Sequence, residues 1–392
     1  MIAAPARLKQ IRQESRERFN SLPWPNRSEE EWRRTDPDEI PLSQEEPEST
    51  SDGLRVTAEP LPAEAARGGV ILTDLASALK QFPARVEEHL FRAVPAGLAK
   101  FTALHEALCT QGLFCRVPDG VRVEQPLSAQ VEATGGGTLY PHTLIVVGKG
   151  AEATLIEEWR SGASSSAGLC NGMVEVILEE GAILRYIHLQ RWSQGTTELF
   201  TQRALLARDA QLVNVQVGLG SRLSKASVET TLEGPGARSE LLGVFFGSGD
   251  QHFDWHTLQD HRAERTFSDL LYKSALKDRA TAIYRGLIRI EKQAQKSDAY
   301  QANRNLLLSQ GAKADSIPML EILANDVRCT HGVAVGPVDE EQAFYLMSRG
   351  LPAPEAQRLI VEGFFEQVLR KIPVERIQEQ LMAEVTERLL RG

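Results

Sequence analysis

The spacing of hydrophobic residues divides the chain into three parts, and the first of them has helical spacing. Residues 5 to 20 combine a few apolar positions with alternating charges, which is typical of a short surface helix. Farther on, apolar residues recur three and four positions apart at Leu72, Leu75, Leu79, Phe101, Leu104 and Leu108. We therefore expect residues 1–110 to form an N-terminal region that is mainly helical.

An acidic segment interrupts these helices. From Ser28 to Pro60 the chain has eleven acidic residues against three basic ones, and few aliphatic residues. Such a composition is typical of a linker or an extended arm, because it offers little apolar surface to bury. We expect this segment to contribute nothing to a hydrophobic core.

The second part, residues 111–337, consists of short apolar runs typical of β-strands, separated by polar corners. At each corner an alanine follows an aliphatic residue at a nearly constant distance, and the earlier corners are about thirty residues apart. The alanines are Ala151, Ala182, Ala210, Ala237, Ala280, Ala294 and Ala312. The pattern favours a β-solenoid with two or three strands per turn. An antiparallel meander has similar strands and turns, and it stays open as an alternative.

The third part, residues 338–392, returns to helical spacing. A first helix is expected between Asp339 and Gly350, because glycine favours a helix end. The next helix carries a wide apolar stripe formed by Ile360, Val361, Phe364, Phe365, Val368, Leu369 and Ile372. Pro373 ends this helix, and residues 374–390 form a third one. The stripe must be buried on the β-structure, on another helix or on a partner, and packing within the chain is the usual outcome.

Composition narrows the functional classes. The 392 residues are 42% hydrophobic, which is typical of a globular protein with two or three domains. The start of the chain lacks the apolar run of a signal peptide and no segment has eighteen consecutive apolar residues, so we expect a cytoplasmic protein that does not enter the membrane. A net charge of −9 opposes binding to nucleic acid. The motifs GxxxxGK[ST], GxSxG and HExxH are absent, so we expect neither a P-loop nor enzymatic activity.

Cys329 and His331 are the first candidates for a metal site. The chain has four cysteines and no CxxC pair, which argues against a self-contained four-cysteine site. If residues 325 to 333 form a strand, Cys329 and His331 project from one face and Thr330 from the other. A thiolate and an imidazole supply two ligands, so iron or zinc would need further ligands from another chain. By residue type alone, a buried thiol and a hydrogen-bonded histidine are the more common arrangement.

A second candidate is the row formed by His252, Asp254 and His256. On a strand these three side chains share one face. Neighbouring members of the row are roughly 7 Å apart, so one metal ion would hardly contact the first and the third together. We expect instead a polar face that is hydrogen-bonded between coils.

Residues 295–350 resemble a known family. They include "QKSDAYQANRNLLLSQGAKADSIPMLEIL" and "NDVRCTHGVAVGPVDEEQAFYLMSRG", which are similar to the signature region of the SufB/SufD family, scaffold proteins of the SUF iron–sulfur cluster assembly system. The early "RSEEEWRRTDP" resembles that family's EEW(K/R)xTD element. SufB-type members have a cysteine before the "DS" dipeptide, where this chain has Ala314. The other branch has a cysteine, a small hydroxyl residue and a histidine, which Cys329, Thr330 and His331 match.

The resemblance implies a mainly β protein in which a right-handed parallel β-helix lies between N-terminal and C-terminal helical regions. It implies a non-catalytic scaffold subunit that pairs with a SufB-like paralogue and docks a SufC-like ABC ATPase, through which alone ATP would act. His331 and Cys329 would be transient ligands of iron or an iron–sulfur cluster at the shared interface. The expected partner-binding residues are Phe344, Tyr345, Arg349, Gly350, Phe364, Phe365, Val368 and Leu369.

Two other interpretations stay open. The chain could be a stand-alone β-helical metalloenzyme that uses His252, Asp254 and His256. It could also form a homodimer, because an exposed solenoid edge can pair with its own copy. The sequence does not indicate whether flavin takes part, which iron donor and acceptor are used, or whether Cys329 is a ligand or a buried thiol.

Overall fold

The middle of the chain forms two β-sheets in a computed structural model that describes residues 6–42, 53–95, 97–163 and 167–390. In chain order the strands are β1 (Leu54–Ala58), β2 (Ile71–Asp74), β3 (Gln111–Val117), β4 (Leu127–Ala133), β5 (Gly137–Leu139), β6 (Pro141–Val147), β7 (Glu152–Ser161), β8 (Ala167–Leu178), β9 (Ile183–Arg191), β10 (Thr197–Leu206), β11 (Gln211–Gly218), β12 (Leu223–Leu232), β13 (Arg238–Gly247), β14 (His252–His261), β15 (Phe267–Leu276), β16 (Thr281–Ile290), β17 (Asp298–Leu307), β18 (Lys313–Ile322) and β19 (Arg328–Pro337). One sheet has the order β1-β4-β7-β9-β11-β13-β15-β17-β19. The other has the order β18-β16-β14-β12-β10-β8-β6-β3-β2, with β5 beside β8.

The chain winds as a parallel β-solenoid of about eight coils. From β6 onward, consecutive strands alternate between the two sheets, so each coil contributes one strand to each sheet. Neighbouring coils pair in parallel, as β10 does with β12 and β11 with β13. Antiparallel pairing joins β1 to β4 and β2 to β3 at the start of the stack. The solenoid prediction is confirmed, and the meander is excluded because its neighbouring strands would run antiparallel.

Each coil turns at a corner whose backbone conformation explains the alanine pattern. Gly150, Gly181 and Asp209 have positive φ values of 61°, 67° and 56°, a region that glycine and aspartate adopt more readily than most residues. The alanine that follows each of them is fully buried. A small side chain at that position lets the chain turn closely against the neighbouring coil, so the recurring alanines mark the corners.

The interior of the solenoid is apolar but contains buried carboxylates. Trp159 and Tyr186 are among its largest fully buried side chains. Both donate hydrogen bonds to the fully buried Glu157, as Thr143 also does. Burial raises the pKa of Glu157, and these three donors partly counteract that rise. The core tolerates this carboxylate because both of its oxygens have donors.

The helices lie in the two terminal parts of the chain. They are α1 (Ala6–Ser21), a 3₁₀ turn (Pro37–Glu39), α2 (Ala63–Arg67), α3 (Leu75–Gln81), α4 (Pro83–Glu87), α5 (Lys100–Leu108), α6 (Glu340–Ser348), α7 (Ala353–Leu369) and α8 (Glu375–Leu390). The helical prediction is wrong for Leu72, which lies in β2 and pairs antiparallel with Cys115 of β3. The first coil leaves a strand edge open, and β2 covers this edge with backbone hydrogen bonds that helical spacing does not reveal.

The acidic segment packs on the solenoid where it is described. Trp32 and Ile40 are buried and share an apolar cluster with residues of α5, β8, β10 and β12. The expectation that this segment contributes nothing to a core is therefore wrong for residues 28–42, because a tryptophan and an isoleucine bury enough apolar surface to hold it. Residues 43–52 of the expected linker lie outside the described residues.

The apolar stripe of α7 packs along the nine-stranded sheet. Val361, Phe365 and Val368 are fully buried in a cluster with residues of β9, β11, β13 and β15. Leu381 and Val385 of α8 belong to the same cluster. In contrast, α6 buries none of its residues. Among the helices described, none combines the length and the apolar character needed to span a membrane.

Candidate functional site

The last coil leaves two strand edges unpaired. β18 pairs with β16 and β19 pairs with β17, and neither has a strand on its other side within the described ranges. The backbone N–H and C=O groups along these edges are available to a strand of another chain. The solenoid therefore ends in an open coil.

Cys329 and His331 lie on the inner face of β19. In the parallel register, Cys329 is opposite Ala299 and His331 is opposite Gln301, and both of these β17 residues are buried inside the solenoid. Thr330 is instead opposite an exposed tyrosine. Side chains at matched positions of neighbouring parallel strands point the same way. Cys329 and His331 therefore share one face, opposite to that of Thr330.

The two candidate ligands differ in exposure. His331 is exposed, because no further coil of the described residues covers the inner face of β19. Cys329 is half-buried beside an apolar cluster that includes Ile290. Burial, assisted by the Asp298 carboxylate, raises the pKa of Cys329 to about 11. The thiol is therefore protonated at neutral pH, and a metal ion that binds this sulfur must displace the proton.

The inner face of β18 forms the other side of the open end. Ala314 is opposite the buried Ala282 of β16, and Ser316 is opposite the buried Tyr284. Ser316 Oγ is itself buried and has no hydrogen-bond partner among the described residues. Within the residues that the structure describes, Cys329 belongs to no group of three side chains arranged to hold a metal ion. The open end thus holds two candidate ligands, Cys329 and His331, without a third metal-binding side chain grouped with them among the described residues.

Exposed apolar side chains surround this open end. They lie on or next to the last three strands and are 40% to 54% exposed: Tyr300, Ile322, Leu323, Val333 and Val335. Exposed apolar side chains beside unpaired strand edges are typical of a protein–protein interface.

A second exposed apolar surface lies on α6. Phe344, Tyr345 and Met347 are 71%, 57% and 46% exposed. The helix is well defined, because Asp339 accepts hydrogen bonds from the backbone at its start and Gly350 follows its end with a φ of 94°. The helix therefore presents aromatic and thioether side chains to solvent on a defined backbone.

The partner surface expected from the sequence is smaller in the structure. Phe365, Val368 and Leu369 are buried within the chain, and Phe364 is half-buried with its ring centre 4.8 Å from the Lys273 ammonium. We correct the three buried positions to intramolecular contacts, because the stripe of α7 faces the nine-stranded sheet. The expected partner residues that stay exposed are Phe344, Tyr345, Arg349 and Gly350.

His252, Asp254 and His256 take part in a hydrogen-bond network that is centred on the Asp254 carboxylate. The buried Asp254 carboxylate accepts hydrogen bonds from Thr35 Oγ1 at 2.5 Å, Lys225 Nζ at 2.7 Å and His256 Nε2 at 2.8 Å. His252 Nε2 lies 3.0 Å from the same Thr35 hydroxyl. The expected bonding between coils is confirmed by Lys225 of β12, and Thr35 adds a contact to the N-terminal segment. The "RRTDP" element is thereby anchored on the solenoid.

This network predicts a pH-dependent stability. Burial alone would raise the pKa of Asp254, but His256 and Lys225 outweigh that effect and hold it well below its usual range. The stabilisation is therefore present above the unfolded pKa of about 3.9 and is lost as the pH falls towards the lower folded pKa. In urea titrations, we expect Asp254→Asn to lower the free energy of unfolding by about 2 kcal/mol at neutral pH and to flatten its decline in acid.

The control for this prediction is an exposed ion pair. Asp250 pairs with Arg279 in solvent, so Asp250→Asn should change neither the stability nor its pH dependence appreciably. An acid decline in Asp254→Asn as steep as that of the unmodified chain would contradict the assignment.

A buried cluster that the sequence analysis missed lies between α5 and the early coils. One nitrogen or sulfur atom from each of His105, Cys109 and His142 lies within 4.8 Å of the others. The available signal was a histidine and a cysteine four residues apart at the end of a helix, since such positions share a face. The third member comes from β6, and only the fold brings it close.

Comparisons with known proteins identify the family. Residues 130–364 match the family model described as SUF system FeS cluster assembly, SufBD core domain. The chain is 33% identical over 325 residues to the iron–sulfur cluster assembly protein SufD of Bacillus subtilis (strain 168), covering 82% of this chain and 74% of that protein. It is 31% identical over 309 residues to SufB of the same organism, covering 78% and 66%. A SufBD family protein of Mycobacterium leprae (strain TN) is 35% identical over 262 residues, covering 65% and 66%.

The chain belongs to the SufB/SufD family of iron–sulfur cluster assembly proteins. Within this family it resembles the SufD type. The similarity to SufD extends over a larger share of both chains than the similarity to SufB. The residues that carried the resemblance to this branch, Ala314 and the run Cys329–Thr330–His331, are consistent with that difference.

Proposed function

We propose that this chain is a non-catalytic scaffold subunit that pairs through its open last coil with a SufB-like paralogue. The observation that supports this most directly is the incomplete pair of ligands, Cys329 and His331, beside two unpaired strand edges. A strand edge and an exposed apolar rim favour the addition of a second chain. That chain would bring further ligands next to the thiol and the imidazole, and the iron or cluster would be a transient cargo held between the two.

Ala314 supports a site shared between two unlike chains. It lies on the inner face of β18 at the same open end as Cys329 and His331. SufB-type proteins have a cysteine at the matching position, and a methyl group cannot ligate iron. We therefore propose that the nascent cluster begins on the paralogue and that this chain supplies the accepting ligands. In isolation the same edge permits a homodimer.

We assign α6 as the docking surface for a SufC-like ABC ATPase. Phe344 and Tyr345 are the most exposed large apolar residues described on this helix, and the Arg349 guanidinium lies 5.2 Å from the centre of the Tyr345 ring. Aromatic and arginine side chains dominate the binding energy of many interfaces. Closure of two ATPase copies on ATP would move the two scaffold chains and open the region around Cys329 and His331.

The stand-alone metalloenzyme has no comparable support. Its candidate ligand Asp254 is already engaged by Thr35, Lys225 and His256. The four cysteines are all unpaired, which fits the reducing cytoplasm where we place the assembly.

Replacing His331 tests the shared site. In a complex co-expressed with its SufB-like and SufC-like partners, His331→Ala should lower the yield of cluster roughly 10-fold or more, since a metal ligand matters at least as much as the outer-shell groups whose loss costs about 10–100-fold. Complex formation should be unchanged, because the side chain is exposed and forms little of the apolar rim. Iron and sulfide content and visible absorption per purified complex measure the yield.

The matched control is Thr330→Ala, which truncates the neighbouring side chain on the opposite face of β19. It should assemble normal amounts of cluster. Equal yields from the two variants would remove His331 from the mechanism. Recovery of this chain without either partner after co-expression would contradict the proposed pairing itself.

A further inference from the structure

Three side chains with metal-binding atoms meet beneath α5. His105 and Cys109 lie one helical turn apart at the end of α5, and His142 lies on β6. None of the three residues is more than 3% exposed. His105 Nε2 and His142 Nδ1 are 3.1 Å apart, close to the roughly 3.3 Å that separates two nitrogens bound to one tetrahedral ion. Cys109 Sγ and one nitrogen of each histidine all lie within 4.8 Å of one another.

In each imidazole ring, the nitrogen that does not face the cluster lies next to an oxygen atom. His105 Nδ1 donates a hydrogen bond of 2.8 Å to the carbonyl oxygen of Asn171, so the lone pair of His105 Nε2 points into the cluster. His142 Nε2 lies 3.3 Å from Glu175 Oε2. A carbonyl or carboxylate behind the ring is the usual environment of a metal-bound histidine, because it orients the ring and increases its basicity.

Without a metal ion one proton lies between the two rings. His105 Nε2 can only accept, so this proton is on His142 Nδ1. The Glu175 carboxylate lies on the other side of the His142 ring, 3.3 Å from its Nε2.

With an ion bound to His142 Nδ1, the proton of that ring is on Nε2 and faces the Glu175 carboxylate. The two positive charges of the ion are matched by the Cys109 thiolate, which has lost its proton, and by Glu175. This match offsets the desolvation penalty of burying the ion.

We propose that His105, Cys109 and His142 bind one divalent ion of the zinc class. Two imidazole nitrogens and one thiolate favour a borderline ion such as Zn²⁺ over Mg²⁺ or Ca²⁺, which prefer oxygen ligands. The ion joins α5 to β6 and so fixes the N-terminal helices on the early coils. The site lies at the opposite end of the strand order from Cys329 and His331, and it does not depend on the proposed function.

Cobalt tests this site in the full chain. The starting protein, called the parent, carries Cys329→Ala and His331→Ala, so the last coil has no candidate ligands left. A chelator first removes any bound metal from the parent, which is then titrated with Co²⁺. We expect one ion per chain, with the visible absorption of tetrahedral cobalt and a thiolate-to-cobalt band in the near ultraviolet. Cys109→Ala in this parent should abolish the thiolate band. It should also weaken Co²⁺ binding more strongly than the loss of an outer-shell partner does, which costs about 10–100-fold.

Cys115→Ala is the matched control, because Cys115 is equally buried but lies outside the cluster. It should keep both the thiolate band and the affinity. A folded parent that takes up no Co²⁺, or that takes it up without a thiolate band, overturns the proposal whether or not Cys109→Ala folds. Since the parent lacks both last-coil ligands, that result leaves the assembly function untouched.

Discussion

Replacing Phe365 with alanine should lower the free energy of unfolding by about 3–5 kcal/mol. Phe365 is fully buried where α7 packs on the nine-stranded sheet, so the substitution removes a ring and leaves a cavity between helix and strands. Residues of α8 share this cluster, so both helices should loosen together. Urea unfolding measures the loss of stability, and hydrogen exchange should locate it in α7 and α8.

Phe344 is the matched control on the exposed side of the same region. Phe344→Ala deletes the same atoms from a side chain that is 71% exposed, so stability should stay within about 0.5 kcal/mol. Its effect should appear in the affinity for the ATPase subunit, with a loss of roughly 30-fold or more if Phe344 is a hot spot. Unchanged ATPase affinity would show that α6 is not the docking surface.

Glu175→Ala should cost about 3–5 kcal/mol in the metal-free chain. The Glu175 carboxylate accepts hydrogen bonds from the backbone N–H groups of Phe91, Ala93 and Val94 and lies beside His142. Its removal leaves three buried N–H groups without an acceptor and the buried His142 ring without its neighbouring carboxylate. Measurement in the presence of a chelator keeps the effect separate from metal binding.

The control for Glu175 lies just beyond the end of the same strand, β8. Glu180 occupies an exposed corner after β8, and Glu180→Ala should change stability by less than about 0.5 kcal/mol. Hydrogen exchange in the Glu175 variant should increase in the segment from residue 91 to 109 before it increases in the late coils. A loss below about 1 kcal/mol in Glu175→Ala would contradict the role assigned to this carboxylate.

The solenoid was predictable because its determinants are local. A corner requires a residue that adopts positive φ and a small residue after it, and pairs such as Gly150 with Ala151 meet both conditions within two positions. The face shared by Cys329 and His331 was predictable for the same kind of reason, since side chains alternate along any strand. Both inferences need only the conformation of a few consecutive residues.

Docking of distant segments was not predictable in this way. Leu72 has helical spacing but pairs with β3, and Trp32 lies in an acidic segment but is buried against the solenoid. Phe365 was expected to bind a partner, but its side chain packs on the nine-stranded sheet. In each case the outcome depends on which surface lies opposite the residue in the fold. The neighbouring residues in the sequence do not specify that surface.

The sequence by itself determined the coil geometry and the C-terminal helices, because both are encoded in the spacing of neighbouring residues, and its motifs carried the resemblance to the family. Only the tertiary structure decided which side chains meet. It showed Cys329 and His331 at an open coil end, engaged Asp254 with Thr35, and brought His142 next to His105. Such contacts join residues far apart in the chain, and they depend on strand register and helix docking, which no local pattern specifies.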